Sequence, residues 1–320
     1  MGRLAAVLFL RLSRACAPAA LALVLAATAG AAGPWRQHAA LPLPRSEVAA
    51  ALVGEEIAIA GGYLAAGGTS ARVDAYSPAR NRWRRLPSLP LAVNHAQAAA
   101  WRGRLYVVGG YDGAGQARRD AFVLDRGRWR RLPPLPEARA AGGAAVAGDR
   151  LYVVGGVALQ PVGGRTLARE AFSLDLRSER WSALPGPTPR EHLGVASLAG
   201  RVYAVGGRLA GLDTNLDLVE ELAPGRGWRR LPPVPGRRGG TGLAALPGLL
   251  VSAGGEEQGG TIEEVYALHL GRRSWRRLAD LPSPRHGLGL TGFRGRVYAI
   301  AGGAEPGLFV SGTNESLAPG

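Results

Sequence analysis

Six times along the chain an apolar run closes on adjacent glycines, and a tryptophan in a short extended tract keeps step with each pair. The pairs are Gly61-Gly62, Gly109-Gly110, Gly155-Gly156, Gly206-Gly207, Gly254-Gly255 and Gly302-Gly303, at steps of 48, 46, 51, 48 and 48. The tryptophans are Trp35, Trp83, Trp129, Trp181, Trp228 and Trp275, at steps of 48, 46, 52, 47 and 47. Two independent marks on one period mean that a single supersecondary unit repeats. A chain of 320 residues would otherwise suggest two domains; the repeat makes one extended domain the better reading.

The second unit shows the pattern. A small apolar run at 97–100 is followed by a turn at Arg102-Gly103, then Leu105-Tyr106-Val107-Val108 ending at Gly109-Gly110. The tract Ala121-Phe122-Val123-Leu124-Asp125 comes next. Trp129-Arg130-Arg131-Leu132 is last, stopped by Pro133 and Pro134. Each tract is short and rich in β-branched or aromatic residues, and none carries a helical period. Every unit therefore reads as a four-stranded antiparallel meander, and radial repetition of such sheets is an all-β six-bladed propeller. The glycines at 54, 103, 148, 200, 248 and 295 suit hairpin corners with φ > 0. The tryptophans are expected to wedge between blades, and the arginines beside them to sit on outer strands, where charge discourages edge-to-edge pairing.

The last unit has its inner strands and a third strand at 309–317 but no fourth. Trp35 and Leu41-Pro42 form a fourth strand with no unit in front of it. The ring is expected to close by laying that N-terminal strand on the last blade, one strand from one terminus and three from the other.

The tract at 104–110, the Ala-Phe-x-Leu-Asp strand and the Trp-x-x-Leu-Pro close resemble the kelch repeat, in six in-phase copies from Trp35 onward. The third strand of the fourth unit, Val219-Glu220-Glu221-Leu222, and the inner strand Leu250-Val251-Ser252-Ala253 of the fifth depart from the pattern. The resemblance implies a binding or scaffolding module. Its partner-binding face would be built from the loops after the glycine pairs and the loops linking one blade to the next.

Those loops supply the candidate ligand-binding residues. The links carry a recurring arginine (Arg45, Arg139, Arg190, Arg237 and Arg285), with Asn94 in its place in the second link. Beside it stand Ser46, His95, Glu191, His192, Arg238 and His286; after the glycine pairs come Tyr63, Tyr111, Asp112, Arg208, Glu256 and Glu257. Converging on one mouth, they are expected to form a net basic funnel for a protein partner or an acidic sugar or peptide. The arginine also belongs to the repeat pattern, so bonding to loop carbonyls is its other reading. No His-x-His or Cys-x-x-Cys spacing occurs, and neither metal nor cofactor is expected. The alternative function is a periplasmic sugar mutarotase or epimerase resembling the sialic-acid epimerases, with Glu191, His192, Glu256 and Arg208 as acid/base groups. Galactose-oxidase chemistry is disfavoured, because the resemblance would require a cysteine cross-linked to tyrosine and the sole cysteine is Cys16.

Residues 1–31 read as a secretory signal peptide. Arg3, Arg11 and Arg14 precede an apolar run at 17–29, and small residues follow. The propeller then spans 34–320 as a periplasmic or secreted monomer, with no membrane span after leader cleavage and no disulfide. The net charge of +15 comes entirely from arginine, with no lysine among the 39 basic residues. That bias reflects composition, and arginines placed at repeat positions are spread round a rim instead of gathered into the patch that nucleic acid requires.

Overall fold

The computed structural model describes residues 34–65, 67–159, 165–223 and 225–320. The expected signal peptide lies outside them. The described chain forms six four-stranded antiparallel sheets. Blade 1 runs Ala49–Val53, Glu56–Ala60, Val73–Ser77, Arg82–Leu86, and blade 2 runs Gln97–Trp101, Arg104–Val108, Ala121–Asp125, Arg128–Arg131. Blade 3 is Gly143–Ala147, Arg150–Val154, Glu170–Asp175, Arg180–Pro185; blade 4 is Gly194–Leu198, Arg201–Val205, Val219–Ala223, Gly227–Arg230. Blade 5 is Gly242–Leu246, Leu249–Ala253, Val265–His269, Ser274–Arg277. In blade 6 the strands Gly289–Phe293, Arg296–Ile300 and Asn314–Leu317 are joined by Arg36–Gln37, in the register Arg36↔Ser316 and Gln37↔Glu315. The first strand of every blade neighbours that of the next, blade 6 against blade 1 included, so the sheets form a ring.

Small residues make that ring possible. A Cβ on Gly143 would lie 2.4 Å from Val195, and one on Gly242 would lie 2.5 Å from Leu290, each the next blade's first strand. Farther out, one apolar cluster fills each of the six interfaces. Between blades 1 and 2, for example, Ala58, Val73 and Leu89 meet Leu105, Val107 and Leu124.

The tryptophans are half-buried at these interfaces. Each indole N–H donates to a carbonyl of the preceding outer segment: Trp83 to Ala39 at 2.7 Å, Trp129 to Pro87 at 2.8 Å, Trp181 to Pro133 at 2.8 Å, Trp228 to Pro185 at 2.9 Å, Trp275 to Pro232 at 2.9 Å and Trp35 to Ala279 at 2.9 Å. The wedge is thus also a latch, with the same bond repeated at every seam.

The glycine pair works by conformation and by space. Gly109 has φ 62°, and a Cβ there would lie 2.2 Å from the Arg139 carbonyl oxygen. In the sixth repeat the pair is displaced by one residue from the position expected from sequence. Gly302 makes the bond to the Arg45 carbonyl that Gly62 makes to Val93, so Ala301 stands in the first glycine's place at φ 63°. A buried L-residue held there is strained by about 1–2 kcal/mol.

Candidate functional site

The links between blades build the floor of the mouth. At Glu47, His95, Ala141, His192, Gly240 and Gly287 the backbone turns left-handed, with φ between 49° and 67°. That turn aims each N–H sideways at the neighbouring blade. His95 donates to the Glu47 carbonyl at 3.0 Å, Ala141 to His95 at 3.0 Å, His192 to Ala141 at 2.7 Å, Gly240 to His192 at 2.8 Å and Gly287 to Gly240 at 3.1 Å; Val48 returns the circle to Gly287 at 3.3 Å. Six links are thereby tied into a belt, and their side chains meet although 46 or more residues separate them. Four of the six are not glycine, and such left-handed positions concentrate at functional sites.

Two residues before the belt lies the arginine column, which the structure corrects in three ways. Its members are Arg45, Val93, Arg139, Arg190, Arg238 and Arg285, identified by the carbonyls that receive the second glycine's N–H or its equivalent. Arg237 is exposed and Arg238 takes its place; Val93, not Asn94, fills the second link. Finally, Arg45, Arg139, Arg190, Arg238 and Arg285 are fully buried and face their own blades instead of the mouth. Arg285 donates to the carbonyls of Ala301, Ser283 and Ala299 and to Glu315 Oε2 at 2.7 Å. Arg45 bonds Gly61, Arg72 and Asp74, while Arg190 bonds Gly206, Thr188, Ala204 and Glu220.

One third-strand position faces each member of the column, and Arg139 has Glu137 Oε2 at 2.9 Å besides. Asp74, Phe122, Phe172, Glu220, Tyr266 and Glu315 hold equivalent registers in the six blades. A carboxylate there pairs with Arg45, Arg190 and Arg285. An aromatic ring lies 4.8 Å from Arg139 and 5.1 Å from Arg238. Where the column holds Val93, the partner is Phe122. Blade 4's departure from the repeat pattern therefore has a cause: Glu220 neutralises Arg190.

The mouth itself is a connected polar network. Arg208 spans Glu191 at 3.3 Å and Glu256 at 2.7 Å. His286 Nδ1 lies 3.0 Å from Glu47 Oε1, and its Nε2 lies 3.0 Å from the Glu305 carbonyl oxygen. Both partners only accept, so both ring nitrogens carry protons. Burial opposes that charge, but Glu47 and Glu256 outweigh it and raise the pKa of His286. Burial likewise opposes the charge on Glu47, yet His95, His286 and His192 hold its carboxyl well below the ordinary range. His95 Nε2 sits 3.0 Å from His192 Nε2 and 3.2 Å from Glu47 Oε2. Burial, with His192 and Arg208 adding and Glu47 and Glu191 opposing, lowers His95 to about 4, so its ring is neutral at pH 7. Tyr63 and Tyr111 present their rings edge-on to His95, with centroids 5.6 and 5.5 Å away.

Of the candidates from sequence, Tyr63, His95, Tyr111, Glu191, His192, Arg208, Glu256 and His286 come together here. The expected net basic funnel does not form. With the column arginines withdrawn into the blades, three glutamates face one arginine and one imidazolium. Glu47, Asn94 and Asn215 belong to the network as well; Asn215 Nδ2 donates to the Glu256 carbonyl at 2.7 Å. Aligning the six links on the arginine column would have found Glu47, two residues after Arg45 as His192 is two after Arg190. A small cavity of about 100 Å³ lies at the belt, lined by Glu47, His95 and His192 together with residues that lead into the first strands, such as Val48, Leu193 and Leu288.

The rim differs in chemistry. Among the described residues the exposed large hydrophobics are Leu209 at 48%, Leu308 at 53% and Phe309 at 50%. All three stand on loops that follow the second glycine, in blades 4 and 6, on the mouth face. Hairpins at Val157–Leu159 with Arg165–Leu167 and at Glu256–Glu257 with Gly260–Thr261 raise the same face.

Comparison with known proteins agrees with the repeat pattern. The kelch motif model matches residues 44–90 and 93–136, the first two repeats. The chain is 31% identical over 230 residues to the Kelch-like protein terF of Aspergillus terreus, a match covering 67% of this chain and 50% of that protein. The chain thus corresponds to about half the length of that relative.

Proposed function

The chain is a kelch-repeat β-propeller, and from that premise we propose that it is a binding module that docks a protein partner on its mouth face. The observation that carries this reading is the grouping of Leu209, Leu308 and Phe309 on one face around a polar well. Protein interfaces combine apolar anchors with surrounding polar groups. Kelch propellers commonly serve as protein-interaction scaffolds, and nothing in the network favours the epimerase alternative. Export belongs to the same proposal: the basic and then apolar leader directs the chain to the periplasm or beyond, where the propeller works as a monomer. Among the described residues no helix is long and apolar enough to cross a membrane.

The test is affinity capture from an extract of the source cells with the wild-type propeller, a Leu209→Asp/Phe309→Asp variant and an Arg102→Ala variant on the opposite face. A partner held by wild type and Arg102→Ala but lost by the double variant supports the proposal. Equal capture by all three places binding elsewhere. Mass spectrometry of the mature N-terminus checks leader removal.

A further inference from the structure

We propose that Glu47, His95 and His192 form a three-ligand site for one divalent transition-metal ion of the Zn²⁺ class, at the floor of the mouth. The ligands come from blade links 1, 2 and 4, and their donor atoms all lie within 4.8 Å of one another. The tautomer of His95 is fixed from behind. Asn94 donates through Nδ2 to Thr69 Oγ1 at 2.9 Å, which turns its Oδ1 to His95 Nδ1 at 2.7 Å. His192 Nδ1 lies 3.3 Å from Glu191 Oε1 without a hydrogen bond to it. His95 therefore carries its ring proton on Nδ1 and turns its Nε2 lone pair toward His192 Nε2 and Glu47 Oε2. The His95 Nε2 lone pair and Glu47 Oε2, two acceptors 3.2 Å apart, repel unless a cation stands between them, and His192 Nε2 lies 3.0 Å from the same lone pair.

The spacing suits a metal ion. Ligands about 2.0–2.1 Å from tetrahedral zinc are roughly 3.3–3.4 Å apart, close to the separations found. A carbonyl or carboxylate behind a ligating imidazole is the usual orienting arrangement; here the Asn94 amide oxygen does it for His95, and the Glu191 carboxylate stands 3.3 Å from His192 Nδ1. Two histidines and one glutamate leave a fourth position, and the well opens onto it.

A neighbouring group, Glu47, Glu256 and His286, also brings its donor atoms together. It is not a second site, because both nitrogens of His286 are already donors. Its imidazolium instead holds Glu47 Oε1 and so presents Oε2 to the histidines. The proposal concerns the well and stands apart from docking on the rim.

The experiment is Zn²⁺ titration calorimetry on the intact chelator-treated protein, with Co²⁺ absorption as a second readout of ligand geometry. Wild type is expected to take up one equivalent and show the intense visible bands of tetrahedral Co²⁺. His95→Ala and His192→Ala should each weaken binding at least about 100-fold, and Asn94→Ala or Glu191→Gln, one shell back, by about 10–100-fold. His269→Ala, at the far end of blade 5's third strand, should bind as wild type does. Absence of uptake by wild type overturns the proposal whatever the variants do, and means that a shared proton joins the two rings. Uptake that survives His95→Ala and His192→Ala overturns it as well. Capture of a protein partner by the rim is scored separately, so the two readings fail independently.

Discussion

The arginine column and the belt lie two residues apart in the links, and both bury charge near the axis, yet they are built on opposite rules. Each column arginine finds its partners inside its own repeat, in carbonyls of its link and blade and in one third-strand side chain, with Glu137 added for Arg139. The belt side chains, beyond their immediate chain neighbours, meet residues from other blades. His95 reaches His192 and Glu47; Glu47 reaches His286. Charge that is closed within a repeat can recur with the repeat and serves the fold. Charge that needs several blades to meet occurs once, and that asymmetry marks it as a site.

The sharpest way to break this contrast is to remove one column partner. Glu315 is fully buried against Arg285, so Glu315→Ala leaves a guanidinium without its counter-charge and should cost about 3–5 kcal/mol. Chemical denaturation measures it. Glu315→Ala combined with Arg285→Leu should recover much of the loss, because blade 2 folds with Val93 against Phe122 in the same two places. A double variant as unstable as the single would mean that the carbonyl bonds, not charge balance, hold the column.

Acid should separate the regions next. His95 is lowered to about 4 in the folded state against about 6.5 unfolded. Below 6.5 the unfolded chain binds a proton that the folded one refuses, so stability falls from pH 6.5 down to 4, by about 3 kcal/mol in all. His286 runs the other way: its raised pKa gives stability that is present below 6.5 and lost as pH rises through the folded value. In chelator, His95→Gln should flatten the decline between pH 6.5 and 4. If wild type and variant fall in parallel, the ring of His95 is not held neutral.

The seams were largely legible in the sequence, and the mouth was not. The period, the glycines and the tryptophans are local signals, because each acts within its own repeat or on the next. Even so, Trp129 proves half-buried, and its loss should cost about 2 kcal/mol by thermal melting, a partly exposed ring plus one bond to Pro87. A cost above about 4 kcal/mol would mean a ring fully buried at the seam. Three one-residue errors, Asn94 for Val93, Arg237 for Arg238 and Gly302-Gly303 for Ala301-Gly302, arose because composition near each mark imitates it. Only hydrogen-bond register separates Arg237 from Arg238. The funnel's charge was misjudged for a different reason. Whether an arginine turns inward depends on a third-strand partner about thirty residues away, such as Glu220 for Arg190, and no spacing rule states that pairing.

The smallest expected effect bears most directly on the contrast. His192→Ala in metal-free protein removes a ring whose buried Nδ1 makes no hydrogen bond and leaves Glu191 with Arg208, so its stability should lie within about 1 kcal/mol of wild type. Excess Zn²⁺ should then open a gap, since an ion that binds only the folded state adds about 2.7 kcal/mol at a hundred times its Kd. Wild type should gain that increment on thermal melting and His192→Ala should not, while Glu315→Ala, damaged in the column, should still gain it. A large loss for His192→Ala without zinc would instead make the belt a structural element like the column, and the distinction between the two regions would disappear.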